Sequence, residues 1–101
     1  MARGYWVVRV DIHDAEAYKA YVAANGPALA RFGGRFLVRA GRSEVVEGSA
    51  RQRNVVLEFP SYDAAVACWH SPEYQAVLKL RTVASTADLV IFEGYEGAQP
   101  A

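Results

Sequence analysis

The chain has 101 residues, of which 52% are hydrophobic and 22% charged, and its formal net charge is zero. This length predicts one domain that buries roughly two-thirds of the surface its unfolded chain exposes. A neutral chain has no field to attract DNA, RNA or an acidic membrane, so neither nucleic acid nor a membrane is expected as a partner. The slightly high apolar share is typical of a protein that covers part of its surface with a second copy.

The start of the chain and its cysteine content indicate a cytoplasmic protein. Residues 1–14 lack a positive region followed by an apolar core and a cleavage site. No apolar run approaches the roughly 20 residues that span a bilayer. Cys68 has no second cysteine to pair with, which fits a reducing compartment, and we interpret it as a small helical hydrophobe.

The first third of the chain predicts a strand followed by a helix. Residues Tyr5–Ile12 place apolar side chains on both faces of a strand. Asp14 is positioned to cap a helix that begins at Ala15 and ends at the glycine pair 33–34. Pro27 predicts a kink, because it cannot donate a backbone hydrogen bond. The buried stripe of this helix is expected to contain Tyr18, Tyr21, Val22, Asn25, Leu29 and Phe32.

The middle of the chain predicts two more strands, Arg35–Ala40 and Arg53–Phe59. Between them Gly41 predicts a bulge or bend, residues 44–47 a short extended arm and residues 48–50 a turn. The second of these strands is apolar on both faces except for Glu58. A charge in such a place is costly unless it is paired or used, so Glu58 needs an explanation.

The last third predicts two short helices and a final strand. Ser61 can cap the first helix, and Ser71 followed by Pro72 is typical of a second helix start. The second helix has a stripe formed by Tyr74, Val77, Leu78 and Arg81. The final strand is expected at Asp88–Gly94. Residues 1–97 would then form the single domain, and residues 98–101 a frayed tail.

This order of elements predicts an α+β fold, namely the ferredoxin-like βαββαβ arrangement with an antiparallel sheet in the strand order 4-1-3-2. Helices would cover one face of that sheet. Because the strands are apolar on both faces, the second face also needs a cover, and the simplest is the same face of a second copy in a two-fold homodimer. A monomer with a wet sheet face is the alternative.

Short segments along nearly the whole chain carry a resemblance to a known family. They are Gly4-Tyr5-Trp6, Tyr18, Tyr21, residues 33–39, Glu47-Gly48, Glu58-Phe59-Pro60, residues 71–75, Arg81 and Glu93-Gly94. In order and spacing, residues 3–97 resemble the bacterial family called domain of unknown function 1330. The resemblance implies the dimeric α+β barrel superfamily, in which two ferredoxin-like sheets close face to face.

The resemblance does not imply a single reaction, because that superfamily includes cofactor-free monooxygenases, isomerases, binding domains and haem enzymes. One departure from the family pattern concerns Ala40, which stands where the family often has glycine. This suggests that the backbone at residue 40 does not need a conformation reserved for glycine.

Charged residues on three adjacent strands predict a site around Glu58. Arg9 and Arg39 could meet Glu58 if the strand register puts all of them on one face, and Arg81 would add a further cation. In such a site the arginines would hold a carboxylate or enolate while Glu58 acts as a candidate acid or base. The pocket walls would come from Tyr18, Tyr21, Asn25, Trp69 and Tyr74. The alternative is a structural salt-bridge network with the aromatic residues as plain core.

No motif for a metal or cofactor is present, because His13 and His70 lie far apart and no paired Cys/His spacing or glycine-rich phosphate loop occurs. We therefore expect neither a metal nor a cofactor. Two function hypotheses remain. One is a cofactor-free isomerase, lyase or monooxygenase acting on a small acidic or aromatic metabolite, and the other is a non-catalytic ligand-binding or stress-linked dimeric module.

Overall fold

The computed structural model describes all residues from 1 to 101 and contains four strands and three helices. The strands are β1 (Gly4–Ile12), β2 (Arg35–Arg39), β3 (Arg53–Phe59) and β4 (Ser85–Glu93), and the helices are α1 (Ala15–Arg31), α2 (Tyr62–His70) and α3 (Pro72–Thr82). None of the helices combines the length and the apolar character that crossing a membrane requires.

The strands form one antiparallel sheet in the order β2-β3-β1-β4. This is the predicted order, and the predicted ferredoxin-like βαββαβ fold is confirmed, with α2 and α3 together in the place of its second helix. All three helices pack on the same face of the sheet. The other face carries no helix.

Local signals define the helix ends as predicted. Asp14, Ser61 and Ser71 each accept a hydrogen bond from the backbone N–H of the third residue after them, at 3.0, 3.0 and 3.1 Å. A cap of this kind contributes about 1 kcal/mol. At the other end of α1, Gly33 has a φ of 77°, the left-handed conformation that commonly ends a helix.

Helix α1 continues through Pro27, because only one backbone hydrogen bond is lost there while the apolar side of the helix stays packed, and it ends at Arg31, just before the glycine pair 33–34 that the sequence predicts as its end. One predicted boundary is wrong. Strand β4 begins at Ser85 rather than at Asp88, since β1 is long enough to pair with it as far as Ile12.

The segment between β2 and β3 also differs from the prediction, because residues 44–47 form no strand. Instead, the side chain of Arg51 fastens this segment to the sheet by bonds to Asp11 at 2.7 Å and to Asp88 at 2.9 Å. The backbone N–H of Gln52 donates a further bond to Asp11 at 2.9 Å.

Strand β2 contains a bulge that the sequence did not predict. Between Phe36 and Val38 its register with β3 shifts by one residue, so Leu37 has no partner. An extra residue reverses the alternation of side chains beyond it. Arg35 and Arg39, which are four residues apart, therefore lie on opposite faces of the sheet.

Of the bulge or bend predicted at Gly41, the bulge lies at Leu37 instead, while the chain does bend at the neighbouring Ala40. The interpretation of Ala40 is wrong. Ala40 has a φ of 53°, which lies in the left-handed region that favours glycine. The chain needs this conformation to leave β2, and an alanine adopts it at a cost of roughly 1 to 2 kcal/mol.

The two faces of the sheet differ in their cover. The helix-covered face forms the core, and its strand residues are Trp6, Val8, Val10, Val55, Leu57 and Phe59. Trp6 anchors α2 to β1 by donating its ring N–H to the carbonyl of Ala65 at 2.9 Å. On the open face, Val38, Val90 and Phe92 are 45%, 49% and 50% exposed.

Candidate functional site

A pocket lies between the covered face of the sheet and helices α1 and α3. It is lined by Trp6, Val8, Tyr18, Tyr21, Asn25, Leu29, Phe36, Arg39, Arg53, Val55, Leu57 and Arg81. The free volume inside is about 20 Å³. Since roughly 10 to 15 Å³ is enough for one water molecule, the pocket in this state has room for a single small polar group.

Three arginines reach this pocket from three different elements. Arg39 is the last residue of β2 and faces the helices because it lies opposite buried Val55. Arg53 opens β3 two residues before Val55, so it lies on the same face. Arg81 comes from the last turn of α3 and is only 4% exposed.

No carboxylate accompanies these arginines. The lining contains no aspartate or glutamate. The six ion pairs of the structure all involve other cations. In addition, the Nε atoms of Arg53 and Arg81 are buried without a hydrogen-bond partner. A buried charged donor without a partner is destabilising. An anion from outside the chain would therefore stabilise the pocket.

Aromatic rings hold the guanidinium groups in place. The guanidinium carbon of Arg53 lies 5.5 Å from the ring centre of Tyr18, and that of Arg81 lies 5.6 Å from the ring centre of Tyr21. Arg39 stacks on Phe36 at 4.1 Å. Contacts at these distances are favourable cation–π interactions, which orient the cations without neutralising them.

Two tyrosine hydroxyls near the arginines remain protonated. Burial raises the pKa of Tyr18, although the neighbouring Arg53 partly opposes this shift. Burial also raises the pKa of Tyr74, with a contribution from Tyr21, whose hydroxyl lies 2.7 Å from that of Tyr74. These phenols are therefore hydrogen-bond donors and not bases at neutral pH.

The structure brings five of the predicted ligand-binding residues to the pocket, namely Arg39, Arg81, Tyr18, Tyr21 and Asn25. Trp69 and Tyr74 do not line it. Tyr74 is fully buried behind Tyr21, and Trp69 packs against Tyr74 with a ring-centre distance of 5.6 Å. These two residues belong to the core. This agrees, for Trp69 and Tyr74, with the alternative interpretation in which the aromatic residues are plain core.

The predicted cluster around Glu58 is wrong. Glu58 lies on the open face of the sheet, whereas Arg39 and Arg81 lie on the covered face. The partners of Glu58 are Arg35, at 3.1 Å, and the hydroxyl of Tyr5, which donates to it at 3.1 Å. The bulge in β2 is the reason, because it turns Arg39 away from the face that Arg35 shares with Glu58.

Arg9 does share the open face with Glu58, but the two do not meet. Arg9 is opposite Asn54, which is four residues from Glu58 along β3 and so roughly 13 Å away. Arg9 lines a shallow hollow on the open face together with Val7 and Phe92.

Arg53 is the charged pocket residue that the sequence interpretation missed. A signal for it exists, because Arg53, Val55 and Leu57 have the same parity in a strand whose face is set by its apolar residues. An arginine on the buried side of a strand is unusual enough to single out.

The structure contains no group of residues suited to metal binding or to thiol chemistry. No three His, Cys, Asp or Glu side chains gather in a way that could hold a metal ion. Burial raises the pKa of the Cys68 thiol to about 12, so it stays neutral inside the core. This agrees with its interpretation as a small hydrophobe.

Comparison with solved structures reveals the same fold in several bacterial proteins. RPA0582, a protein of unknown function from Rhodopseudomonas palustris, is 22% identical and gives a TM-score of 0.76 over 95% of this chain and 85% of that chain. SnoaB, a cofactor-independent oxygenase from Streptomyces nogalater, is 16% identical, with a TM-score of 0.64 over 96% of this chain and 97% of that chain. At these identities the likeness shows the fold alone.

No curated protein is similar enough in sequence to count as a match. The profile of one family does match, and it runs from residue 3 to residue 95, which is nearly the whole chain and includes all the strands and helices. That family is described as "Domain of unknown function (DUF1330)". The predicted resemblance is thus confirmed: the chain belongs to the DUF1330 family.

Proposed function

We propose that this protein binds a small carboxylate-bearing molecule in the arginine pocket, which we define by Arg39, Arg53 and Arg81. The observation that carries the proposal is the set of three arginines at one pocket with no carboxylate in its lining. The buried Nε atoms of Arg53 and Arg81, which lack partners, support it further.

A ligand carboxylate matches what these groups lack. Two oxygens offer about four lone pairs, and each guanidinium can donate two parallel N–H bonds to a carboxylate. Such charge-assisted bonds contribute roughly 1.5 to 3 kcal/mol each. One carboxylate between Arg53 and Arg81 would therefore satisfy both buried Nε atoms and supply a counter-charge.

The remaining lining favours an apolar body on the ligand. Eight of the twelve lining residues are hydrophobic, among them Phe36 and Leu57. Because the free volume is only about 20 Å³, the carboxylate would enter and the rest of the molecule would lie toward Phe36. Arg39 is exposed at the outer edge of the pocket beside Phe36, which we call the rim. Its side chain can therefore move aside for a ligand.

Binding without catalysis is the function that the geometry favours. The pocket holds no aspartate, glutamate or histidine to take a proton. The raised pKa of Tyr18 makes its hydroxyl a donor and not a base. A non-catalytic binding module needs none of these proton acceptors.

A cofactor-free isomerase, lyase or monooxygenase is the second candidate, and one observation favours it. Arg53 lies beside the protonated hydroxyl of Tyr18, and such a pair of donors could stabilise an enolate that forms from the ligand. The oxygenase activity of SnoaB fits this class, although that likeness is one of fold.

The role of Glu58 as an acid or base stays a prediction, now for a separate place on the open face. Its contacts with Arg35 and Tyr5 join β2, β3 and β1, which favours the structural interpretation. The side chain of Glu58 is 16% exposed while that of Arg35 is 71% exposed, so this ion pair is partly solvated.

We also propose that the open face is covered by the same face of a second copy. Its exposed apolar side chains, Val38 on β2 and Val90 and Phe92 on β4, lie on the two edge strands and would be buried by sheet-to-sheet closure. Sedimentation at micromolar concentration tests this homodimer. A monomer mass would favour the wet-face alternative.

Calorimetric titration with benzoate, an aromatic monocarboxylate, tests the binding proposal. We expect Arg53→Gln and Arg81→Gln each to weaken binding at least tenfold, which corresponds to about 1.4 kcal/mol. Arg9→Gln is the matched control, because it removes a strand arginine from the opposite face. Equal affinities in all of these variants would contradict the proposal.

A further inference from the structure

The arginine pocket contains three cations, and a single carboxylate held by two of them leaves the third without a ligand. Arg53 is half-buried and Arg81 buried, and the Nε atoms of both are buried without a hydrogen-bond partner, whereas Arg39 is exposed at the rim. One carboxylate held by the two inner arginines leaves Arg39 without a counter-charge. Glu58, the carboxylate of β3, pairs with Arg35 on the other face of the sheet.

The rim arginine is separated from the inner pair by a definite distance along the sheet. Arg39 lies opposite Val55, and Arg53 is two residues before Val55 on the neighbouring strand. Strand spacing and rise then put the Cα atoms of Arg39 and Arg53 roughly 8 Å apart. Extended side chains would keep the two guanidinium groups a similar distance apart, which a dicarboxylate can span with one carboxylate at each.

The surface between the two arginines is apolar. Phe36 and Val55 both line the pocket there, and neither offers a polar side-chain atom. Stacking on Phe36 at 4.1 Å occupies one face of the Arg39 guanidinium but leaves its N–H groups free in the plane. The guanidinium group of Arg39 can therefore donate hydrogen bonds to a ligand oxygen that lies beside this apolar surface.

We infer that the ligand of the arginine pocket is a short dicarboxylate with an apolar spacer, whose inner carboxylate is bound by Arg53 and Arg81 and whose outer carboxylate is bound by Arg39. This inference rests on the proposed function and adds the class of ligand. The spacer crosses Phe36 and Val55. Arg39 selects dicarboxylates over monocarboxylates of the same length.

Titration with glutarate, butyrate and inorganic phosphate tests the inference. Butyrate is glutarate without its second carboxylate, and phosphate is a compact dianion that cannot span the apolar surface. In the wild type we expect glutarate to bind about tenfold more tightly than butyrate. Because the rim is exposed, this ratio should fall as salt is raised.

Two variants locate the selectivity. In Arg39→Gln the ratio of the glutarate and butyrate affinities should fall to about one. In Arg42→Gln, which removes an exposed arginine outside the pocket, the ratio should keep its wild-type value. Thermal melts show whether both variants remain folded.

The outcomes separate this inference from the proposed function. If butyrate binds through Arg53 but glutarate gains nothing, the dicarboxylate inference fails and the carboxylate pocket stands. Phosphate binding most tightly, with no dependence on Arg39, would also overturn the inference. If none of the three ligands binds, both proposals fail.

Discussion

Replacing Arg81 by methionine should remove ligand binding without unfolding the protein. Arg81 is 4% exposed and its Nε atom has no hydrogen-bond partner, so the free protein holds a buried cation that nothing neutralises. Methionine keeps an unbranched side chain of useful length and adapts to irregular spaces. Arg81→Met therefore removes the charge while it keeps most of the packing.

The expected stability change is the difference between two terms. Removing a buried unsatisfied donor relieves roughly 1 to 3 kcal/mol. Loss of the cation–π contact with Tyr21, whose ring centre is 5.6 Å from the guanidinium carbon, costs about 1 to 2 kcal/mol. The net change thus lies between about 1 kcal/mol of destabilisation and about 2 kcal/mol of stabilisation, so for a domain of this size Tm should fall by no more than roughly 8 °C.

Thermal melts with and without benzoate measure both effects together. At 100 times Kd a ligand adds about 2.7 kcal/mol to the wild type, so its Tm should rise by roughly 10 °C or more. Arg81→Met should show no such rise. Arg42→Met serves as the control, since it makes the same chemical change at an exposed position outside the pocket.

A large loss of stability would refute this reasoning. If Arg81 were half of a structural ion pair, its removal would cost about 3 to 5 kcal/mol and lower Tm by well over ten degrees. A ligand-dependent rise in Tm that survives in Arg81→Met would equally show that the anion binds elsewhere.

Three further predictions concern other parts of the molecule. Glu58→Gln breaks a pair whose arginine, Arg35, is 71% exposed, so it should cost at most about 1 kcal/mol and lower Tm by less than roughly 8 °C; a loss of benzoate affinity in this variant would instead show that the ligand binds beside Glu58. Ala40→Gly relieves a φ of 53° and should raise Tm by a few degrees, partly offset by the greater entropy of glycine in the unfolded chain, whereas a lower Tm would mean that the left-handed conformation is not strained. The Gln52 backbone N–H, helped by Arg51, holds the pKa of Asp11 below its ordinary value of 3.8. This contact therefore stabilises the protein above that pH and loses its effect as the pH falls through the lower folded-state pKa. The Tm of Asp11→Asn should accordingly change less with pH in the acidic range than the Tm of the wild type.

Much of the fold could be predicted because its signals are local. Short apolar runs in Tyr5–Ile12 and in Arg53–Phe59 identify both central strands, and the capping residues Ser61 and Ser71 mark the helix starts. The order of these strands and helices along the chain then indicates the ferredoxin-like fold. Ser85 was missed because a serine followed by threonine and alanine carries a weak strand signal, and pairing with β1 decides its conformation.

The composition of the site could be predicted only in part, because a side chain's face depends on register. Strict alternation would place Arg35 and Arg39 on one face, and the bulge at Leu37 separates them. No local signal announces this bulge, which arises from pairing with β3. Glu58 was therefore grouped with the wrong arginine, while Arg81 and the tyrosines of α1 were placed correctly by their helical spacing.

A crystal structure with 4-bromobenzoate is the measurement that tests the carboxylate pocket most directly, because the anomalous signal of bromine fixes the ligand's position and direction. We predict the carboxylate between Arg53 and Arg81, with the bromine toward Phe36 and the rim. Soaked crystals of Arg53→Gln should lack the ligand at this place. A bromine on the open face beside Glu58, or a wild-type pocket that stays empty at ligand concentrations that occupy other sites, would contradict the account.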